Sequence, residues 1–400
     1  MRAVRRRGWS EGAASLVALA LCFGIAQNLI KPLIAPQSVA LGGDALAAGW
    51  VVASAGIGGL LVAIPLGMLM DRIGGRRVIG AGAVVLAGGA GIMSMASTPL
   101  MLAAGHFLFG IGSVATWLAV QALATIAVDS AASRLKVARV STAVLMGQLA
   151  GPPLGGLLAD TVDVRIAFLA SFAAAIALLP AVWSLPKHAG MVRLANPLES
   201  QENHRGKSGV AALPVLSRPG LVAALAASAV ATVLQTSRQA FLPLLLAQQG
   251  WSATNIGLIL SVAGLGALVA RASFTFLDTR TSTAALISLS LLPGALSLGV
   301  MASTESIAVI LIAVIISGFS LGLAQPVTLL LVARLTSQNE RGYAVGLRLA
   351  VNRSMQAAAP VAFGAAAVLL SLTAAFWLVA IACTVGGVVL IARSAAASKQ

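Results

Sequence analysis

The sequence alternates apolar stretches of about 20 residues or more with short polar connections, and that alternation leaves few folds open. Residues 13–30, 45–70, 78–96 and 100–128 carry no Asp, Glu, Lys or Arg. A stretch of roughly 20 apolar residues is what a helix needs to cross the hydrocarbon of a bilayer. Inside lipid every backbone N–H and C=O must be satisfied within the protein, which favours helices. Composition agrees: 59% of the 400 residues are hydrophobic and 9% are charged. Soluble domains run nearer ~45–50% and ~25%. The expected fold is an all-α membrane protein with twelve transmembrane helices, at 13–35, 46–69, 78–97, 100–124, 139–159, 165–185, 219–246, 253–276, 284–302, 305–331, 344–370 and 372–393. Trp9, Trp50, Trp183 and Trp251 fall at or near span ends, where amphipathic rings suit the headgroup layer.

The net charge of +15 does not read as nucleic-acid binding, because the basic residues lie mostly on alternate connections. With the N-terminus inside, the inner connections carry Arg72, Arg76 and Arg77; Arg134, Lys136 and Arg139; Arg271 and Arg280; Arg334 and Arg341. The outer ones carry Asp44, Asp160, Asp163 and Glu305 against Arg165. A Lys/Arg excess on one side sets orientation, so both termini are expected in the cytoplasm and the chain in the inner membrane. The basic N-terminus followed by an apolar run resembles a secretion signal. Its run is too long, and no A-x-A-like site ends it, so it is taken as the first span.

Residues 186–218 form the longest polar connection and read as a cytoplasmic linker between an N-terminal six-helix bundle, 1–185, and a C-terminal one, 219–400. The GKS at 206–208 lacks the first glycine of a phosphate loop, Gln201 standing there, and follows no strand. Cys22 and Cys383 each sit inside an apolar run, with no disulfide or metal spacing. No metal and no cofactor is expected.

An internal repeat recurs at an offset of about 207 residues, or one more, in the positions of rare residues. Asn28 maps to Gln235, Lys31 to Arg238, Asp71 to Asp278, Gly110 to Gly318 and Pro152 to Pro360. Six spans per unit is an even number, so the halves share orientation. Parallel repeats of this kind are one architecture of secondary transporters, with the substrate between the halves near mid-membrane.

The turn between the second and third spans, GMLMDRIGGRRVIG at 67–80, concentrates charge and glycine. Gly74 and Gly75 permit a tight turn, the arginines hold it inside, and Gly67 is expected to admit a neighbouring helix closely. Here the chain resembles the major facilitator superfamily, whose signature G-x-L-x-D-R-x-G-R-[RK] is matched at Gly67, Leu69, Asp71, Arg72, Gly74 and Arg76, with Gly75 in place of a base. The resemblance implies a latch in which the aspartate meets the cytoplasmic start of span 11. In span 5, GQLAGPPLGG matches the family's G-x-x-x-G-P-x-x-G-G at Gly147, Gly151, Pro152, Gly155 and Gly156. That pattern resembles the drug:proton antiporter branches and implies efflux.

Ionisable groups within a bilayer are costly and point to function. Lys31 lies about 27 Å along the first span at ~1.5 Å per residue, and Arg238 at the matching depth of the seventh, beside Gln27, Asn28, Gln235 and Gln239. They either snorkel to the outer headgroups or share a cavity mouth. Arg353 lies about 15 Å into span 11, near Asn352 and Gln356. It either binds an anion or ties a polar network together, while Arg348 reads as structural. His106 stands where the family has an arginine, with Gly110 and Gly112 keeping the frame; it titrates near neutral pH and is a candidate for the coupling proton. All 11 acidic residues fall at span ends or in connections, whereas proton-coupled members of the family usually bury a carboxylate. That weakens a cationic cargo. The sequence therefore implies a secondary active transporter, not an enzyme, moving a small organic solute by alternating access. Export by proton antiport is the first reading, and uptake or facilitated passage of an organic anion the alternative. Substrate residues are expected among Asn28, Lys31, His106, Gln235, Arg238 and Arg353, in a protein that is a monomer by family resemblance.

Overall fold

The structure, a computed structural model, describes residues 2–125, 131–185 and 219–397. The expected linker at 186–218 lies outside them. So do the side chains of Asp71, Arg134, Lys136 and Arg341.

The described chain is helical: α1 Arg2–Leu29, α2 Ile34–Ala40, α3 Ala45–Ile73, α4 Gly75–Ser94, α5 Pro99–Thr125, α6 Ala131–Thr161, α7 Val164–Ile176 and α8 Leu178–Trp183. There follow α9 Pro219–Gln248, α10 Ala253–Arg280, α11 Thr283–Ala302, α12 Ile307–Leu335, α13 Gln338–Leu369 and α14 Leu372–Ala397. Ten of the twelve expected spans each fall on one helix, and the first and sixth run across a helix break. Among the described residues, 10 helices are long and apolar enough to cross a membrane. The 31-residue α6 and the 32-residue α13 are long but more polar, and are not among them.

Two expected spans are broken, each by proline. A 3-10 turn at Lys31–Leu33 separates α1 from α2, with Pro32 at its start. Pro180 cannot donate to the carbonyl four residues back, at Ile176, and its ring crowds that carbonyl; α7 ends at Ile176. Prolines 152, 153, 243, 293, 326 and 360 lie inside continuous helices, as membrane helices tolerate when neighbours satisfy the freed groups.

The chain divides into two compact units, Met1–Leu194 with Trp251–Leu258, and Ala195–Gly250 with Ile259–Gln400. In the first, α1 packs on α6, and α4 on α5 and α7, around Leu19, Leu86, Met93 and Phe168. In the second, α9 packs on α13, and α11 on α12 and α14. Phe241 stacks on Phe363 at 4.1 Å between centroids, and Phe376 meets Phe363 edge-on at 4.8 Å.

The repeat is also visible in close contacts. A Cβ on Gly110 would lie 2.2 Å from the carbonyl oxygen of Ala55, and one on Gly318 would lie 2.1 Å from that of Ala263, each residue 208 positions from its counterpart. Gly58 against Phe107 and Gly266 against Ile315 form a second pair at the same offset of 208. Glycine at these points lets two helix backbones touch.

Candidate functional site

In the first unit, the glycine face of α6 meets α1. A Cβ on Gly147 would come within 2.5 Å of the backbone at Gly24, on Gly151 within 2.9 Å of Asn28, and on Gly155 within 1.9 Å of the Leu29 carbonyl oxygen. Gly156 looks the other way, with 2.1 Å to the carbonyl oxygen of Ala253, and Gly257 faces Pro152 at 2.3 Å. The span-5 motif is thus a two-sided packing surface, built by glycines four residues apart on one face and one displaced onto the next.

Asn28 and Lys31 come together. The Lys31 ammonium donates to Asn28 Oδ1 at 2.9 Å, and the Asn28 amide donates to the Gly24 carbonyl at 2.7 Å. Gln27 hydrogen-bonds the hydroxyl of Ser113. His106 has partners of its own: its Nδ1 is 2.8 Å from the Val51 carbonyl oxygen, and its ring lies 6.2 Å from that of Phe109. A carbonyl only accepts, so Nδ1 carries the proton and Nε2 is the basic nitrogen of the neutral ring.

The turn after α3 is a single residue. Gly74 has φ +85° and ψ 150°, a region essentially reserved for glycine, and its N–H closes α3 on the Met70 carbonyl at 2.9 Å. Arg72 and Arg77 are exposed, while Arg76 donates to the Trp183 carbonyl at 3.0 Å. Asp71 lies in the last turn of α3. Gly67 departs from expectation: a Cβ there would meet nothing within 4 Å, so no helix approaches at that point.

Asp44, Asp160 and Asp163 of this unit cap helices. Asp44 Oδ1 accepts from the N–H of Ala47 and Asp163 Oδ1 from that of Arg165, both at 2.7 Å. Asp160 accepts from the N–H groups of Ala253 and Thr254, at 2.9 and 2.8 Å, and from the Thr254 hydroxyl at 2.6 Å. Partial burial pushes its carboxyl up, but the hydrogen bonds from Thr254, Ala253 and Ser252 outweigh this and hold it below the ordinary carboxylate range.

In the second unit the arginines rank differently from the sequence expectation. Arg353 is half-buried and bonds Gln356 of its own helix at 2.8 Å. Arg348, read from sequence as structural, is the buried one, at 6% exposure. Its Nη1 reaches Thr328 at 3.0 Å, and Ser228 and Gln325 at 3.4 Å each. Those residues lie on α12, α9 and α12, so one guanidinium on α13 joins three helices. Arg238 is also 6% exposed; it donates to the Ser317 hydroxyl at 3.1 Å and does not snorkel. The Nε of both arginines is buried without a partner. Gln235 lines a small cavity beside this cluster with Ser228, Thr232, Gln325 and Thr328. Ser228, Thr328 and Gln325 are ordinary residues in an apolar sequence, and only the pairing of Arg348 with the polar positions of the two other helices could have flagged them.

Among the described residues the acids of this unit are elsewhere. Asp278 pairs with Arg334 at 3.0 Å, Glu340 accepts from Ser337 in a capping box, and Glu305 is exposed beyond α11. No group of three His, Cys, Asp or Glu suited to a metal occurs among the described residues.

The family description "Major Facilitator Superfamily" matches residues 16–360 and 239–400. The chain belongs to that superfamily of multi-pass membrane transporters. Two Mycobacterium tuberculosis proteins, from strains CDC 1551 and H37Rv and each named an uncharacterized MFS-type transporter, are 29% identical over 280 residues, 68% of this chain and 36% of theirs. The match thus spans about a third of the length of those relatives. Among solved structures, the nucleoside transporter NupG has a TM-score of 0.80 at 13% identity, over 95% of this chain and 98% of that one. A POT family transporter in complex with a thioalcohol-conjugated peptide has 0.75 at 15%, over 96% of both. These likenesses show the fold.

Proposed function

We propose that the protein is a secondary active transporter of twelve spans in two six-helix bundles, 1–185 and 219–400, joined by a cytoplasmic linker at 186–218. It lies in the inner membrane as a monomer with both termini in the cytoplasm, works by alternating access, and carries a small organic anion. The anion rests on one observation: Arg238 and Arg348 are buried in the second unit with neutral partners only, while the described acids of that unit sit at helix ends. A buried charge is stable when it is paired, and an anionic cargo supplies the missing charge. Counterflow of labelled mono- and dicarboxylates in proteoliposomes tests this. Saturable exchange is expected; exchange of organic cations with none of carboxylates sinks it.

A second reading, export by proton antiport, is supported by the glycine face of α6 and by His106. The Nε2 of that ring is the atom that takes a proton in such a cycle, with Nδ1 held by Val51. Asn28, Lys31, Gln235, Arg238 and Arg353 remain the other candidate substrate residues, and the turn carrying Asp71 the candidate latch.

A further inference from the structure

We propose that an exposed groove formed by α10, α11 and α12 seats one acyl chain of an anionic phospholipid, with the lipid phosphate held at Arg280. This does not depend on the cargo or on the direction of transport. It needs only that the three helices cross a bilayer, for which each is long and apolar enough.

The groove holds about 450 Å³, and its walls are wholly apolar: Leu265 and Val269 from α10, Leu289 and Pro293 from α11, Ile315 and Phe319 from α12. Gly266 forms the floor. A Cβ there would lie 2.4 Å from the Ile315 carbonyl oxygen, so α10 and α12 touch by their backbones, and the larger side chains beside that contact stand up as walls. No other part of the described chain covers them: Leu265 is 51% exposed, Val269 57% and Ile315 44%. In a bilayer, the apolar matter available to fill such a concavity is lipid chain.

Charge decides which lipid. On α10, Leu265, Val269, Phe276 and Arg280 recur in steps of four, seven and four residues, so they share one face. The Arg280 guanidinium lies over the Phe276 ring, 4.4 Å from its centroid, which holds the cation on the groove side of the helix. The neighbouring acid is already engaged, Asp278 pairing with Arg334 at 3.0 Å. Arg280 has no ion pair among the described residues. Its positive charge suits a headgroup with net negative charge over a zwitterionic one.

Distances along the helices suit a phospholipid. At ~1.5 Å per residue, Val269 and Leu265 lie about 16 and 22 Å from Arg280, and Leu289 and Pro293 about 9 and 15 Å from the start of α11 at Thr283. The hydrocarbon of one leaflet is about 15 Å deep, half of a ~30 Å core. A phosphate at Arg280 thus brings the far half of its chain to the groove. A second copy of this protein is the poorer occupant. Paired about a twofold axis along the membrane normal, it presents the same face and sets a second Arg280 at the same level as the first.

The test places the full-length protein in nanodiscs of phosphatidylcholine doped with one of two photoreactive lipids. Both carry the same diazirine-bearing palmitoyl chain; one is a phosphatidylglycerol and the other a phosphatidylcholine. Peptide mapping after irradiation reads where each probe labels and how much. Excess labelling of the groove by the phosphatidylglycerol is expected, roughly fivefold for one arginine near an anionic headgroup. This comparison is made in the wild type and needs no variant to fold. Arg280→Gln should bring the two probes level, and Arg280→Lys, which keeps the charge, should preserve the excess. Val269→Trp fills the groove and should remove labelling of Leu289 and Phe319 by both probes while leaving Tm unchanged. Equal labelling by the two probes in the wild type overturns the proposal, because the groove is then ordinary lipid-facing surface. So does an excess that survives Arg280→Gln, or a dimer that Val269→Trp dissolves, which makes the occupant a second copy.

Discussion

Single residues carry more of the architecture than their charge suggests. Asp160 does for α10 what a local N-cap does for its own helix, satisfying two backbone N–H groups from another element. Asp160→Ala is expected to cost about 0.5–2 kcal/mol, the usual worth of a cap, read as a lower Tm in detergent at neutral pH. Because the folded carboxyl is held below its ordinary value, its contribution is complete above the ordinary carboxylate range and fades as pH falls through the lowered value. The Tm difference between wild type and Asp160→Ala should shrink on acidification; a difference that widened would refute the hydrogen-bonded carboxylate. Gly74 is a second such residue. Its φ of +85° makes Gly74→Ala cost on the order of 1–3 kcal/mol, visible in the same unfolding measurement. The acids at the helix ends and the glycine pair were legible as positions. Their partners were not, since Asp160 caps a helix 93 residues away.

At the scale of elements, glycine spacing decides which helices touch. The face of α6 at Gly147, Gly151 and Gly155 has no room for a methyl group against α1. Gly155→Ala puts a carbon 1.9 Å from the Leu29 carbonyl oxygen and should destabilise by about 1–3 kcal/mol through forced backbone shifts. Gly67→Ala is the matched control: nothing lies within 4 Å, and alanine is the better helix former by ~0.5–1 kcal/mol. Equal Tm losses in the two variants would mean that the measured effect is not packing. The motif in α6 announced close packing from its spacing alone. The same inference failed at Gly67, because a lone glycine does not say whether a partner helix lies on its side.

For the whole molecule, the buried arginines set the expectations. Arg238→Gln and Arg348→Gln should each lower carboxylate counterflow roughly ten- to hundredfold, the equivalent of one charge-assisted hydrogen bond at about 1.5–3 kcal/mol. Arg353→Gln should lower it less, since Arg353 is half-buried and already bonded to Gln356. A larger loss at Arg353 than at Arg348 would restore the ranking that depth along the helix implies. Proton coupling is a separate matter. In everted vesicles acidified by respiration, added substrate should collapse the gradient if a proton moves in exchange. His106→Ala should abolish that collapse while leaving counterflow intact, and an unchanged collapse would take His106 out of the coupling step.

Apolar runs of membrane-spanning length, with arginine and lysine kept mostly to the connections between them, sufficed to reach an all-helical membrane protein. These features act locally or through periodicity, so a linear string holds them. Pro32 and Pro180 were visible too, although the helix breaks that they impose were not expected. Which arginine lies deepest was decided by tertiary structure. Depth along one helix is the same for every rotation about its axis, and only the packing of α9, α12 and α13 turns Arg348 inward and leaves Arg353 half-buried. The polar cavity has the same origin: its five hydroxyl and amide residues belong to two helices about 90 residues apart in the chain. Their meeting with Arg348 is a property of the bundle, because the bilayer offers those groups no other partner.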